Sequence, residues 1–116
     1  MKLSEKDKRI FQLHADVCKA LAHAKRLEIL HILKGKEVSV RDIVMQMGIS
    51  KANVSQHLAI MRKAGILNTR REGLNAYYRI SSPKIARACN LMREVLLKHH
   101  IKRGNLLMNQ VQKERL

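Results

Sequence analysis

Between positions 50 and 63 the chain carries Ser50, Lys51, Ala52, Asn53, Ser55, Gln56, His57, Arg62 and Lys63, and no acidic residue. Asn and Gln amides can pair bidentately with an adenine edge in the major groove. Ser can reach a base or a phosphate, and Lys and Arg neutralise phosphates. Wound as a helix, this stretch turns Val54, Leu58, Met61 and Gly65 inward. Ala52, Gln56, Ala59 and Lys63 then face outward, flanked by Asn53 and Ser55. The plain alternative is a solvated polar face, but such faces usually mix charge signs. This one does not, and the segment that follows adds Arg70, Arg71 and Asn75. His57 sits half-inward, where it either meets a phosphate or packs.

The composition agrees. Lys and Arg number 24 against 9 Asp and Glu, a formal charge of +15, which implies a polyanionic partner. A membrane is the rival polyanion, but no apolar run approaches the ~20 residues needed to span a bilayer. Residues 1–9 mix charges and lack an apolar core, so they do not read as a signal peptide, and a cytoplasmic location is expected. Aromatic residues are Phe11, Tyr77 and Tyr78 only, too few for the stacking platforms of single-strand and RNA binders, so duplex DNA is expected. Two cysteines without a C-x-x-C pair exclude a disulfide scaffold and a structural zinc finger.

The elements that must position these residues follow from periodicity and caps. Ser4 and Asp7 open a helix over about residues 5–22, with Asp7, Ile10, Phe11, His14, Val17, Cys18 and Leu21 on one stripe. A second helix spans about 25–34, with Leu27, Leu30 and Ile32 or Leu33 apolar, and Gly35 at its end. Residues 38–40 form a short β-type run, and a third helix covers about 41–47 with Ser39 as cap. A turn at Gly48 leads to the fourth helix, about 51–64. Residues 66–71 and 76–80 read as a hairpin around the loop 72–75. Pro83 opens a last helix with Ile85, Ala88, Cys89, Met92, Val95, Leu96 and His99 on its stripe, interrupted at Gly104-Asn105. The methionines Met45, Met47, Met61, Met92 and Met108 read as core filler. The expectation is one mainly α domain over 1–116 with a small β-hairpin, in the order α-α-β-α-α-β-β-α. Its helix-turn-helix lies at about 39–65 and its wing at about 66–80.

Several stretches together resemble the ArsR/SmtB-type winged helix-turn-helix repressors. They are Lys19-Ala20-Leu21-Ala22-His23-Ala24-Lys25-Arg26-Leu27-Glu28-Ile29-Leu30, Ser50 to Leu58, Met61-Arg62-Lys63-Ala64-Gly65-Ile66-Leu67, and the wing from Arg70 to Ile80. The resemblance covers about residues 15–98. It implies a homodimer joined through the first and last helices (about 5–22 and 83–103). It also implies binding to a double-stranded operator with inverted-repeat symmetry, and release on a metal, metalloid or thiol-directed signal. One departure is Ala24, where the family usually has Pro before Lys-Arg-Leu, a change expected to lengthen or join the first two helices.

The family's inducer sites do not carry over. A Cys-Val-Cys-Asp metalloid run corresponds to Ser39-Val40-Arg41-Asp42, which lacks both thiolates and adds a cation. The zinc site of the last helix finds Ser82, Pro83 and Lys84 at its start. What remains is Cys18 and Cys89, one on each helix that the resemblance assigns to dimerisation. They form a redox or reactive-sulfur sensor, or they join His14 or His99 around a soft metal ion, or they are small core hydrophobes. No cofactor is required by the DNA-binding reading itself. His31 and the His99-His100 pair read as structural.

Three rival functions remain. A non-specific architectural DNA protein would share the charge, and only the ratio of specific to non-specific affinity separates it from a regulator. A repressor controlled by a protein partner would need no ligand of its own. An enzyme would need a nucleophile–base pair, a phosphate loop or a carboxylate dyad, none of which is evident.

Overall fold

The computed structural model describes residues 2–102; the expected helix end at 103, the break at Gly104-Asn105 and Met108 lie outside the described residues. The element order is α1 (Glu5–Leu21), α2 (Ala24–Leu33), β1 (Val38–Ser39), α3 (Val40–Met47), α4 (Lys51–Lys63), β2 (Leu67–Glu72), β3 (Asn75–Ile80) and α5 (Pro83–Lys102). This is a mainly helical chain with a small antiparallel sheet, as its sequence predicts. The chain divides into two compact units, one ending at Pro83 and one beginning at Lys84.

Local chemistry sets the helix ends. The Ser4 side chain accepts from the Asp7 N–H at 3.1 Å, and the Asp7 carboxylate accepts from the Ser4 N–H at 3.2 Å, a reciprocal capping box. Ser39 and Ser50 cap α3 and α4 through the N–H groups of Asp42 and Asn53, each at 3.1 Å. Gly48 ends α3 at φ 68°, left-handed backbone that a side chain disfavours, and so turns the chain from α3 into α4. The absence of Pro at Ala24 does not fuse the first two helices. His23 breaks them at φ −153°, and its Nδ1 accepts from the Lys25 N–H at 3.1 Å as the cap of α2.

The core of the first unit gathers Ile29, Leu30 and Leu33 of α2, Ile43 of α3, Val54, Leu58 and Met61 of α4, and Ile66 and Leu67. Full burial of each such side chain stabilises by roughly 1.5–3 kcal/mol. Two expectations change here. Helix α2 turns Ile29 rather than Leu27 into the core, because the core lies along Ile29, Leu30 and Leu33, leaving Leu27 40% exposed. Met45 is 72% exposed and Met92 62% exposed, so neither fills this chain's core, whereas Met61 does.

Strand β3 pairs with β2 through Leu67↔Ile80 to Glu72↔Asn75 and with β1 through Val38↔Tyr78 and Ser39↔Tyr77, giving the order β1-β3-β2. The hairpin is tighter than expected: the strands run on to Glu72 and Asn75, leaving Gly73 and Leu74 as the turn. Within α1 only Ala20 is buried, while Ile10, Phe11 and Leu13 are more than half exposed. Within α5 the same holds for Leu91, Met92 and Val95, with Leu96 half exposed.

Candidate nucleic-acid interface

Helix α4 buries Val54, Leu58 and Met61, and this anchoring fixes which residues point away. Ala52, Asn53, Ser55, Gln56 and Lys63 are exposed, as the helical wheel requires, and Lys51 opens the helix beside them. Ala59, expected outward, is half-buried, and Gly65, expected inward, is exposed because the helix ends at Lys63. The Ser50 hydroxyl is engaged as the cap. Arg62 and Lys63 occupy the last turn, where cations also favour the helix dipole.

The wing brings a second basic element to the same side. A cleft of about 510 Å³ is lined by Lys51 and Ser55 of α4, Arg41 and Met45 of α3, and Arg71, Leu74 and Asn75 of the hairpin. Four of the sequence-predicted residues, Lys51, Ser55, Arg71 and Asn75, therefore meet across one opening. The structure adds Arg41, Met45 and Leu74. No local sequence signal marked these three as part of the site; their place follows from the packing of α3 against β3.

Arg70 and Arg71 separate. Alternation along β2 sends them to opposite faces. Arg70 binds the Glu37 carboxylate through Nε at 2.8 Å and Nη2 at 2.7 Å, and Glu72 through Nη1 at 2.9 Å. Its guanidinium also lies 4.6 Å from the centre of the Tyr77 ring. These carboxylates hold its pKa above the ordinary arginine range, and they match its charge within the protein. Arg71 has no such partner among the described contacts and faces the cleft.

His57 is half-buried on α4. Its Nδ1 accepts from Arg26 Nε at 3.2 Å, and its ring centre lies 4.6 Å from that of His23. Burial, then His23, then Arg26 push its pKa below the ordinary value of 6.5.

Residues 23–69 match the family model described as bacterial regulatory protein, arsR family. An HTH-type transcriptional regulator of Mycobacterium tuberculosis is 35% identical over 88 residues, covering 75% of this chain and 77% of that protein. The chain belongs to the arsR family of bacterial regulatory proteins. The biofilm growth-associated repressor of Xylella fastidiosa is 35% identical over 78 residues, covering 67% and 68% of the two chains. The homodimeric winged helix-turn-helix DNA-binding domain of a possible ArsR-family regulator from Mycobacterium bovis superposes with a TM-score of 0.76. It shares 32% identity over 85% of this chain and 92% of that one. Membership makes the chain a DNA-binding transcriptional regulator and not an enzyme.

Cys18 is exposed and Cys89 half-buried, so within one chain neither is a core residue. His14 and His99 are exposed. Among the described residues no three His, Cys, Asp or Glu side chains gather as a metal ion would need. Ser39 and Arg41, at the positions matching the family's metalloid site, offer a helix cap and a cation instead of thiolates. No described helix is long and apolar enough to cross a membrane.

Proposed function

We propose that the protein is a homodimeric repressor that reads a double-stranded operator with α4 and releases it on a thiol-directed signal at Cys18 and Cys89. The observation that carries the DNA half is the acid-free outer face of α4, set across a cleft from Arg71 and Asn75. Small and amide side chains near the helix start suit entry into a major groove, and the basic hairpin suits the flanking phosphates. The exposed apolar residues of α1 and α5 support a second copy as the partner that covers them. Similarity to a homodimeric domain and to a named repressor points the same way.

The thiol half rests on exposure and position. Cys18 and Cys89 lie on the two helices with exposed apolar faces; in the single chain Cys18 is exposed and Cys89 half-buried. Within a subunit or across the dimer, the two thiols close a disulfide. They lose two protons and two electrons to a disulfide or polysulfide oxidant, which leaves as thiols. A link at the seam changes the spacing of the two reading helices and so lowers the population able to span two half-sites.

The test selects duplexes from a random library with the reduced wild-type protein. The enriched duplex is then compared with a scrambled one. Enrichment of one sequence family, bound at least ~10³-fold tighter than the scrambled duplex, supports a specific regulator over an architectural protein. Equal binding to both rejects it. Treating wild type, Cys18→Ser and Cys89→Ser with polysulfide should weaken binding in the wild type alone. Unchanged wild-type affinity would exclude the thiol signal. Weakening by zinc or cadmium, lost in His14→Ala, would favour a metal instead.

A further inference from the structure

The motif that opens α2 contains an arginine with two partners on two other helices. Arg26 Nη1 donates to the Ala20 carbonyl in the last turn of α1 at 3.1 Å, while Nε donates to His57 Nδ1 in the middle of α4 at 3.2 Å. The His57 ring rests against His23, which is itself fixed as the cap of α2 by the Lys25 N–H. Both bonds are partly buried, so water competes with them less than at an open surface. His57 follows Gln56 on the helix, one position from the face that would meet bases.

We propose that Arg26 and His57 are a positioning pair that ties the end of α1 to α4 and thereby sets the angle at which the reading face meets DNA. This rests on the DNA-binding role of α4 proposed above, and it assigns to His57 a task other than touching phosphate. A guanidinium is a fixed fork of donors and never an acceptor, so the bond requires His57 Nδ1 to be unprotonated. Burial, then adjacent His23, then charged Arg26 oppose a proton on this ring. The charged groups that shift His57 are His23 and Arg26, both at the start of α2. Acidification therefore breaks the bond by placing a proton on the acceptor and a cation beside Arg26. Because α1 bears one of the exposed apolar faces, the same bond offers a short mechanical route from the dimer seam to the reading helix.

The experiment measures binding to the duplex enriched from a random library by wild type, and to a scrambled duplex of the same composition, from pH 7.5 to 5.5. His57→Leu and Arg26→Ala remove the acceptor and the donor, whereas His57→Asn keeps an acceptor oxygen but cannot take a proton. Loss of one charged hydrogen bond should lower the ratio of enriched to scrambled affinity about tenfold in the first two variants. His57→Asn should keep most of the ratio and make it independent of pH, while wild type loses it towards pH 5.5. Three results would overturn the inference. One is an unchanged ratio in folded Arg26→Ala. Another is a ratio in His57→Asn as low as in His57→Leu. The third is wild-type discrimination that holds or improves in acid, as a direct phosphate contact by His57 would produce. A wild type that enriches no sequence rejects the regulator reading itself, and this inference with it. Enrichment by wild type with any of those three results rejects the pair alone.

Discussion

Arg70 and Glu37, 33 residues apart in sequence, are joined by two contacts of 2.7 and 2.8 Å that tie β2 to the segment preceding β1. The bond holds one of the wing's two adjacent arginines on carboxylates, while Arg71 lines the cleft.

The two arginines should therefore differ in their salt response. Arg71→Ala should reduce the slope of log affinity against log salt by about 0.9, the release expected for one phosphate contact. Arg70→Ala should leave the slope unchanged, because Glu37 and Glu72 already balance its charge. Titrations on one duplex between low and moderate salt check this. Equal slope changes would mean that Arg70 leaves its carboxylates when DNA binds.

The caps of the helix-turn-helix should be worth measurable stability. Ser50→Ala removes the acceptor for the Asn53 N–H and should destabilise by about 1 kcal/mol. Gly48→Ala forces a side chain into left-handed backbone at a cost of roughly 1–2 kcal/mol. Denaturant midpoints of the two variants check these values.

Charges placed on the exposed apolar faces should divide dimer from fold. Phe11→Asp and Met92→Asp change residues that are 57% and 62% exposed in the single chain, so neither damages a monomer core. In a covered interface each buried charge costs several kcal/mol. Sedimentation should show folded monomers that no longer bind DNA with specificity. An intact Met92→Asp dimer would place the interface elsewhere.

Acid should destabilise the fold through His57. Its folded pKa lies below 6.5, so as pH falls the unfolded chain takes up this proton before the folded chain does. The stability this group supports is full well above 6.5 and is lost progressively as pH falls below that value. Thermal melts of wild type against His57→Asn should diverge below about pH 6.5 and run parallel above it. Parallel melts throughout would show that His57 keeps an ordinary affinity for its proton.

Much of this was legible in the residues because it is local. Ser4, Ser39 and Ser50 cap helices wherever a first-turn N–H is free, and the inward row Val54, Leu58 and Met61 fixes the outward row of α4 by geometry alone. The rest depends on partners distant in sequence. The short β-type run at 38–40 was legible, but its pairing with Tyr77 and Tyr78 of β3, nearly 40 residues on, was not. Helix α2 is apolar on several sides, so its spacing could not tell Ile29 from Leu27. Arg70 and Arg71 look alike in a string, and only the position of Glu37 separates them. The engagement of His57 by Arg26, across 31 residues, is of the same kind.

The central claim is that the outer face of α4 reads bases, and Gln56 tests it most directly. Gln56→Ala should weaken binding to the enriched duplex by about 1–3 kcal/mol and relax the preference at one base pair, with binding to scrambled duplex unchanged. Arg71→Ala, measured beside it, should weaken both duplexes nearly equally. If Gln56→Ala instead lowered both affinities alike, or neither, the reading face would not be the one assigned here.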